Sequence, residues 1–152
     1  MNLSQILTPD EILLGFDVPD KWTAISTMAD VLCRTGRLPQ TMGGAAKEAL
    51  LQRERRMTTG MEDGIAIPHA ALADLPELIG VLAIAPDGIP FETLDGEPAR
   101  ILVCMLTPKR DKLLHIRTLA EIARLLSDES VRERICRCET PAAVLDTIRA
   151  AE

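Results

Sequence analysis

An unbroken apolar run, residues 101–106 (Ile-Leu-Val-Cys-Met-Leu), narrows the folds open to this chain more than any other feature. A strand with one face in water alternates apolar and polar residues, and this run offers no polar face. Pro108 ends the run, because proline donates no hydrogen bond to a ladder. The run therefore predicts a strand that other elements cover on both faces.

Helical patterns on either side of this strand can supply that cover. Five segments combine apolar residues at helical spacing with start or stop signals: Asp20–Thr35, about Thr41–Arg56, Asp111–Ser127, the stretch after Asp128, and the stretch opened by Thr140-Pro141. The runs Ile65–Ile67 and Leu78–Ile84 have strand length, whereas Ile12–Leu14 is either a first strand or one helical turn. A turn is expected at Pro86-Asp87-Gly88 and a loop over Ala70–Glu77.

The length and the order of these elements favour a single α/β domain over residues 1–152, with α+β as the alternative. A chain of 152 residues is long enough to bury a sizeable core. Strands and helices do not alternate strictly along the sequence. We therefore expect a small mixed β-sheet flanked by helices on both faces.

Composition argues against two classes of function. The net charge is −6 and aromatic residues make up 2% of the chain, whereas nucleic-acid-binding proteins usually need a basic surface and stacking rings. No apolar run approaches the roughly 20 residues that cross a bilayer. Residues Met1–Gln5 lack the basic start of a secretory signal, so the cytoplasm is expected. The negative charge would suit a basic protein partner.

The cysteine spacing indicates no metal site, and no cofactor is expected. The four cysteines are Cys33, Cys104, Cys136 and Cys138. No pair has the C-x-x-C spacing, and residues two apart point to different sides of a helix. Reduced, mostly structural thiols are expected. The alternative is a zinc site that borrows His69 or His115.

Residues 58–69 (Thr-Thr-Gly-Met-Glu-Asp-Gly-Ile-Ala-Ile-Pro-His) carry the main functional hypothesis. Two glycines and two hydroxyl residues indicate an irregular loop, which leads into the short strand Ile65–Ile67. Pro68 stops that strand, so His69 is expected at its end, beside backbone N–H groups that can hold an anion. A neutral imidazole in that place would be a phosphoryl acceptor. The alternative is a packed histidine that fills a pocket.

His115 and a cluster of arginines are further candidates. His115 lies four residues before Leu119 on the apolar stripe of the helix that starts at Asp111, near the helix N-terminus. That end of a helix lowers an imidazole pKa and attracts anions; the alternative is a core histidine bonded to a carbonyl. The cluster Arg53–Arg56 ends an earlier helix. It either compensates the helix dipole or turns one guanidinium toward the loop to hold phosphate.

These residues resemble a known family. The string Gly64–His69 (Gly-Ile-Ala-Ile-Pro-His), with Arg53-Glu54 beginning sixteen positions before its histidine, is similar to the Enzyme IIA domain of the phosphoenolpyruvate-dependent phosphotransferase system. The similar type is the mannitol, fructose and nitrogen-regulatory one. The other matching residues are Thr58-Thr59-Gly60, Asp95-Gly96, Pro98, Pro108 and His115. The resemblance runs from about Asp20 to the last helix.

The resemblance implies a phosphohistidine carrier. By that resemblance, His69 takes a phosphoryl group from an HPr- or NPr-like phosphocarrier protein, and His115 orients or stabilises the transfer. No metal is required. The phosphate-binding residues that it implies are Arg53, Thr58, Thr59, Gly60 and Gly64.

The resemblance is strongest to the nitrogen-regulatory branch, because no IIB or membrane IIC segment accompanies the domain. The expected partner is then a regulated target protein. The alternative is a sugar-specific IIA that passes phosphate to a separate IIB. Glu62 and Asp63 stand where the family loop usually has a glycine, and each would cost about 1 kcal/mol near a bound phosphate. A regulatory module that has lost transfer is therefore a third interpretation.

Overall fold

The computed structural model describes residues 1–152. Its helices are α1 (Leu3–Ile6), α2 (Lys21–Arg34), α3 (Gly43–Arg56), α4 (Lys112–Leu126), α5 (Glu129–Arg137) and α6 (Pro141–Ala151). Its strands are β1 (Ile12–Leu13), β2 (Ile65–Ala66), β3 (His69–Leu72), β4 (Ile79–Ile89) and β5 (Ala99–Pro108). Short 3₁₀ turns at Pro9–Glu11 and Gln40–Met42 precede β1 and α3.

Side-chain caps fix the starts of four helices. The carboxylates of Asp20, Asp111 and Asp128 accept backbone N–H groups at the starts of α2, α4 and α5, and the Thr140 hydroxyl does so for α6. Each cap satisfies a donor that the first helical turn leaves unpaired and stabilises the helix by about 1 kcal/mol. The five predicted helices are confirmed, and four of them carry these caps.

The strands form one mixed sheet in the order β1-β4-β5-β2, with β3 also paired to β5. Strands β4 and β5 are antiparallel, whereas β1 runs parallel to β4. Both β2 and β3 run parallel to β5. They therefore follow one another along the same edge of β5, separated by Ile67 and Pro68.

Helices cover both faces of this sheet. On one face α2 and α3 contribute to a core of 22 buried residues that includes Leu102 and Cys104. On the other face α1, α4, α5 and α6 contribute to a core of 20 buried residues that includes Ile101 and Val103. Successive residues of β5 thus alternate between the two cores, as the two-residue period of a strand requires. The predicted α/β class is confirmed. None of the six helices is both long and apolar enough to cross a bilayer.

The segment after His69 is a strand, so the loop expected over Ala70–Glu77 is wrong in its first part. Residues His69–Leu72 pair in parallel with Met105–Pro108 of β5. A four-residue segment with two alanines has little strand preference of its own, and hydrogen bonds with β5 decide its conformation. His69 consequently begins strand β3, and Pro68 lies between β2 and β3 along the edge of β5.

Two smaller expectations also change. The predicted turn Pro86-Asp87-Gly88 lies inside β4, where the pairing with β5 is irregular between Ile84 and Ile89. Such an irregularity admits a proline and, with φ at +77°, the glycine Gly88. The ambiguous run Ile12–Leu14 begins with strand β1.

Candidate functional site

His69 lies on the face of the sheet that α4 covers. Its neighbours Ala70 and Leu72 pack into the core beneath α2 and α3, so the two-residue period of β3 places His69 on the opposite face. Its Nδ1 lies 2.7 Å from the backbone carbonyl oxygen of Ile67. Because a carbonyl oxygen only accepts hydrogen bonds, Nδ1 carries the hydrogen and Nε2 keeps a lone pair.

His115 approaches His69 from α4. The Asp111 carboxylate caps this helix by accepting the N–H of Leu114 at 3.0 Å, which holds the first turn that carries His115. The centroids of the two imidazole rings are 5.2 Å apart, and the ring planes are tilted by 59°. The Nδ1 of His115 contacts the hydroxyl of Thr107 on β5. Two histidines that are distant in sequence therefore share one place in the fold.

The surroundings favour the neutral form of both rings. Burial lowers the pKa of His69 below its usual 6.5, and the nearby Arg53 and His115 lower it further, against the opposing effect of the hydrogen bond to Ile67. Burial, and then Arg53, also lower the pKa of His115. At neutral pH the Nε2 of His69 is therefore unprotonated.

Arg53 reaches the two histidines from the end of α3. It lines, together with both of them, a cavity of about 280 Å³. Its Nη1 donates to the carbonyl of Met57 at 2.7 Å, just beyond the last turn of α3, where a cation also opposes the negative end of the helix dipole. Arg53 thus compensates the helix end and lies at the histidine cavity. Phosphate binding by its guanidinium stays a prediction.

The loop before β2 borders a second hollow beside His69. This cavity of about 370 Å³ is lined by His69, by Thr58, Thr59, Gly60 and Met61, and by apolar side chains that include Leu119 of α4. Three of the predicted phosphate-binding residues therefore lie next to the predicted acceptor. His69 lines both cavities.

The donors of this loop already have partners inside the protein. The N–H and the hydroxyl of Thr59 both donate to the carboxylate of Glu54, at 2.9 and 2.6 Å. The Thr58 hydroxyl donates to the carbonyl of Glu92 at 2.6 Å, and the Gly60 N–H donates to the Thr58 hydroxyl oxygen at 3.1 Å. Phosphate binding by these residues stays a prediction, and it requires those hydrogen bonds to open.

A buried ion pair that the sequence analysis missed supports this loop. Glu54 is 2% exposed, and Nζ of Lys21 lies 3.4 Å from its carboxylate. The same Nζ lies 3.1 Å from the Glu92 carboxylate and 4.8 Å from the ring centre of Trp22. A buried carboxylate requires a cation and donors of this kind. The sequence signal was the lysine itself, because the first position of a helix is an unfavourable place for a cation.

Gly64, Glu62 and Asp63 line neither of the two cavities at His69. Gly64, with φ at +74°, packs beside Pro98. The Asp63 carboxylate lies 3.8 Å from the guanidinium of Arg132. The structure thus gathers six of the seven predicted site residues and leaves Gly64 apart. Another recess, about 450 Å³ beside Lys21, contains no histidine.

The histidine cavity combines a nucleophilic nitrogen with cationic and hydrogen-bonding groups. Nε2 of His69 offers a lone pair, Arg53 offers a guanidinium, and His115 offers a second imidazole. Such a set can hold an oxyanion by its oxygens while the lone pair attacks the central atom.

The sequence family described as "Phosphoenolpyruvate-dependent sugar phosphotransferase system, EIIA 2" matches residues 5–151. The chain belongs to this family. The resemblance carried by the Gly64–His69 string is therefore confirmed. Members of the EIIA 2 family are components of a phosphotransferase system, which agrees with a cavity built around a neutral histidine and a guanidinium.

Relatives of two kinds are similar to this EIIA 2 chain. A nitrogen regulatory protein of Bradyrhizobium diazoefficiens is 33% identical over 89% of this chain and 86% of its own length. A fructose-specific EIIABC component of Bacillus subtilis is 32% identical over 97% of this chain, which spans only 23% of that protein. The crystal structure of the nitrogen regulatory protein IIA-Ntr of Neisseria meningitidis has a TM-score of 0.87 at 25% identity, with 96% of this chain and 98% of that chain covered.

Proposed function

We propose that this EIIA 2 chain is a phosphohistidine carrier, and that Nε2 of His69 accepts the phosphoryl group from an HPr- or NPr-like phosphocarrier protein. The observation that carries the proposal is the contact between Nδ1 and the Ile67 carbonyl, because it leaves the Nε2 lone pair free for attack. Burial keeps that nitrogen unprotonated at neutral pH. The family membership supports the same chemistry.

The proposed transfer needs no further reactant. The bond between phosphorus and the donor's imidazole nitrogen breaks, and its electron pair stays with the donor ring. The lone pair of Nε2 forms the new P–N bond, while the hydrogen stays on Nδ1 of His69 and Nδ1 continues to donate to the Ile67 carbonyl. A transfer of this kind depends on in-line positioning and on charge stabilisation more than on covalent chemistry by the protein.

His115 and Arg53 are proposed to stabilise the charge on the phosphoryl oxygens. The Thr107 hydroxyl contacts Nδ1 of His115, and the Ala70 carbonyl, its other acceptor, is 3.4 Å away, at the limit for a hydrogen bond. When that hydroxyl donates to Nδ1, Nε2 of His115 carries the hydrogen and can donate to a phosphoryl oxygen. Arg53 adds a permanent charge and a planar set of donors.

We further propose a signalling role, in which target proteins distinguish the phosphorylated chain from the unphosphorylated one. A phosphoryl group adds about −1.5 to −2 charges, enough to change an interface. The nitrogen regulatory relative, which matches this chain over most of both lengths, supports this role. The fructose-specific relative supports a second function, transfer to a separate IIB partner. A module without transfer rests on Glu62 and Asp63 alone.

The decisive experiment is phosphorylation of the native chain. The protein is incubated with phosphoenolpyruvate, Enzyme I and an HPr-type donor, and intact-mass spectrometry measures the added phosphoryl group. We expect labelling of the native chain, none of His69→Ala, and slower labelling of His115→Ala. An unlabelled native chain, under conditions that label a known EIIA protein, would contradict the proposal, as would equal labelling of the two variants.

A second measurement separates the carrier's outputs. The phosphorylated chain is mixed with fructose- and mannitol-type IIB proteins, and the loss of its phosphoryl group is followed by mass. Retention of the phosphoryl group supports the signalling role, whereas rapid loss to one IIB supports sugar transport. Labelling only after Glu62→Gly would show that the native loop blocks transfer.

A further inference from the structure

The surface around the histidines is basic, although the chain as a whole is acidic. The chain has 23 acidic and 17 basic residues, not counting histidine. The two cavities at His69, and a third that shares Arg53 with them, are lined by four basic residues and one acidic residue: Arg53, Arg56, Lys109, Lys112 and Asp111. The Asp111 carboxylate is occupied as the cap of α4. The charged side chains that line these cavities therefore carry a net positive charge, because the four basic residues outnumber Asp111.

Exposed apolar side chains lie on the same face. Met57 lines the third cavity and is 69% exposed, and Ile116 lines the histidine cavity and is 63% exposed. Leu113, one turn before Ile116 on α4, is 56% exposed. Half of the six large apolar side chains that the molecule exposes are thus gathered around one site. Apolar residues within a charged border are typical of a surface that binds another protein.

We propose that this face, here called the basic docking face (Arg56, Met57, Lys109, Lys112, Leu113 and Ile116), binds a protein partner that is apolar around its own phosphohistidine and acidic at the border of that patch. The proposal rests on the proposed carrier function, and it names the chemistry of the donor. It reverses the expectation from net charge, which favours a basic partner. At short range the attraction between the two proteins depends on the charges near the contact, because salt screens charges more than about 8–10 Å away.

The same charge distribution favours dissociation of the complex after transfer. The phosphoryl group brings about −1.5 to −2 charges to the basic docking face and removes them from the donor. Attraction between the two proteins therefore weakens once the group has moved. The unphosphorylated chain should bind an acidic partner more tightly than the phosphorylated chain does.

The test separates docking from phosphate binding by using two kinds of donor. One donor is an HPr-type protein, prepared both with lysines and with glutamates around its histidine. The other donor is phosphoramidate, a small molecule that needs no docking. The test variant is the double substitution Lys109→Glu, Lys112→Glu. The matched control is Arg134→Glu, Arg137→Glu, which makes the same change of net charge on α5, where the residues line none of the three cavities.

We expect the native chain to take phosphate from the glutamate-bordered donor about tenfold faster than from the lysine-bordered donor at low salt, with the difference shrinking at high salt. The test variant should lose this preference while the control keeps it. The loss of rate in the test variant should be at least tenfold larger with the protein donor than with phosphoramidate. Equal losses with both donors, or a faster reaction with the lysine-bordered donor, would overturn the proposal.

Binding is also measured without any transfer, by calorimetric titration of the unphosphorylated chain with each form of the donor protein. Tighter binding of the glutamate-bordered form supports the basic docking face even if no phosphoryl group moves, and in that case only the carrier function fails. Phosphoramidate labelling of His69 without a preference between the two protein forms leaves the carrier function standing and rejects the docking face.

Discussion

At the scale of single residues, the reactivity of His69 depends on which ring nitrogen holds the hydrogen. The Ile67 carbonyl, 2.7 Å from Nδ1, places the hydrogen on that nitrogen, and burial lowers the pKa of the ring and so favours its neutral form. The sequence identified His69, His115 and Arg53 separately, each with a structural alternative. It could not show their shared cavity, because nothing local indicates that the end of α3 and the start of α4 meet at the same strand.

The depressed pKa values lead to a prediction about pH. Both imidazoles have a folded pKa below the unfolded value of 6.5, because burial disfavours the charged ring. Their contribution to the free energy of unfolding is therefore present above pH 6.5 and is lost as the pH falls through the folded pKa. NMR titration of the ring protons should give both midpoints below 6.5.

The pH dependence of the free energy of unfolding provides a second test of the lowered pKa of His69. Between neutral pH and pH 5 the native chain should lose more free energy of unfolding, measured with denaturant, than the variant His69→Asn loses. A ring midpoint at or above 6.5 would contradict a site that favours the neutral imidazole.

Arg53 is the second prediction at this scale. Arg53→Ala should slow phosphorylation about a hundredfold, the usual effect of removing one donor from a charged transition state. Arg53→Lys should fall between that variant and the native chain, because it keeps the charge and loses the planar donors. Rates are measured by quenched mass spectrometry. The control is Arg55→Ala on the same helix, where Arg55 pairs with Glu48 at the surface. An unchanged phosphorylation rate for Arg53→Ala would contradict a role of Arg53 in phosphoryl transfer.

At the scale of elements, the sequence indicated the helices better than the edge of the sheet. Capping residues such as Asp20 and Thr140 can be recognised in the sequence, and they mark where helices begin. Strand β3 was missed because its pairing with β5, some 36 residues away in the register of His69 with Met105, has no local signature. The α1 helix, with four residues, was too short for a periodic pattern to predict.

For the buried pair between α2 and α3 the sequence offered only one signal, the lysine at the start of α2, because burial of Glu54 depends on how these two helices pack. The pair gives a prediction at this scale. Lys21→Met leaves the buried Glu54 carboxylate without its cation, so the free energy of unfolding should fall by about 3 kcal/mol. Hydrogen exchange at the Thr59 amide, which donates to Glu54, should become faster.

A surface lysine provides the control for this variant. Lys47 pairs with Asp30 at 2.8 Å in a partly exposed position, and Lys47→Met should change the free energy of unfolding by less than about 1 kcal/mol. Denaturant unfolding measures both variants. Equal effects of the two substitutions would mean that the Lys21–Glu54 pair does not hold the loop.

At the scale of the whole molecule, the site lies at the edge of the sheet where the two helical layers meet. Helix α3, from one layer, brings Arg53, and helix α4, from the other, brings His115. The sheet itself supplies His69 and Thr107. His69 is partly exposed and lines two cavities at this edge, so the proposed acceptor lies where a second protein can approach, as the proposed carrier function requires.

The position of the phosphoryl group is the most direct test of His69 as the phosphoryl acceptor. The chain is labelled with ¹⁵N, phosphorylated through Enzyme I and an HPr-type donor, and studied by long-range ¹H–¹⁵N correlation of its two histidine rings. We predict that phosphorus is attached to Nε2 of His69, that Nδ1 of this ring keeps its hydrogen, and that His115 is unmodified. Attachment to Nδ1 of His69, or to His115, would contradict the proposal that Nε2 of His69 is the acceptor.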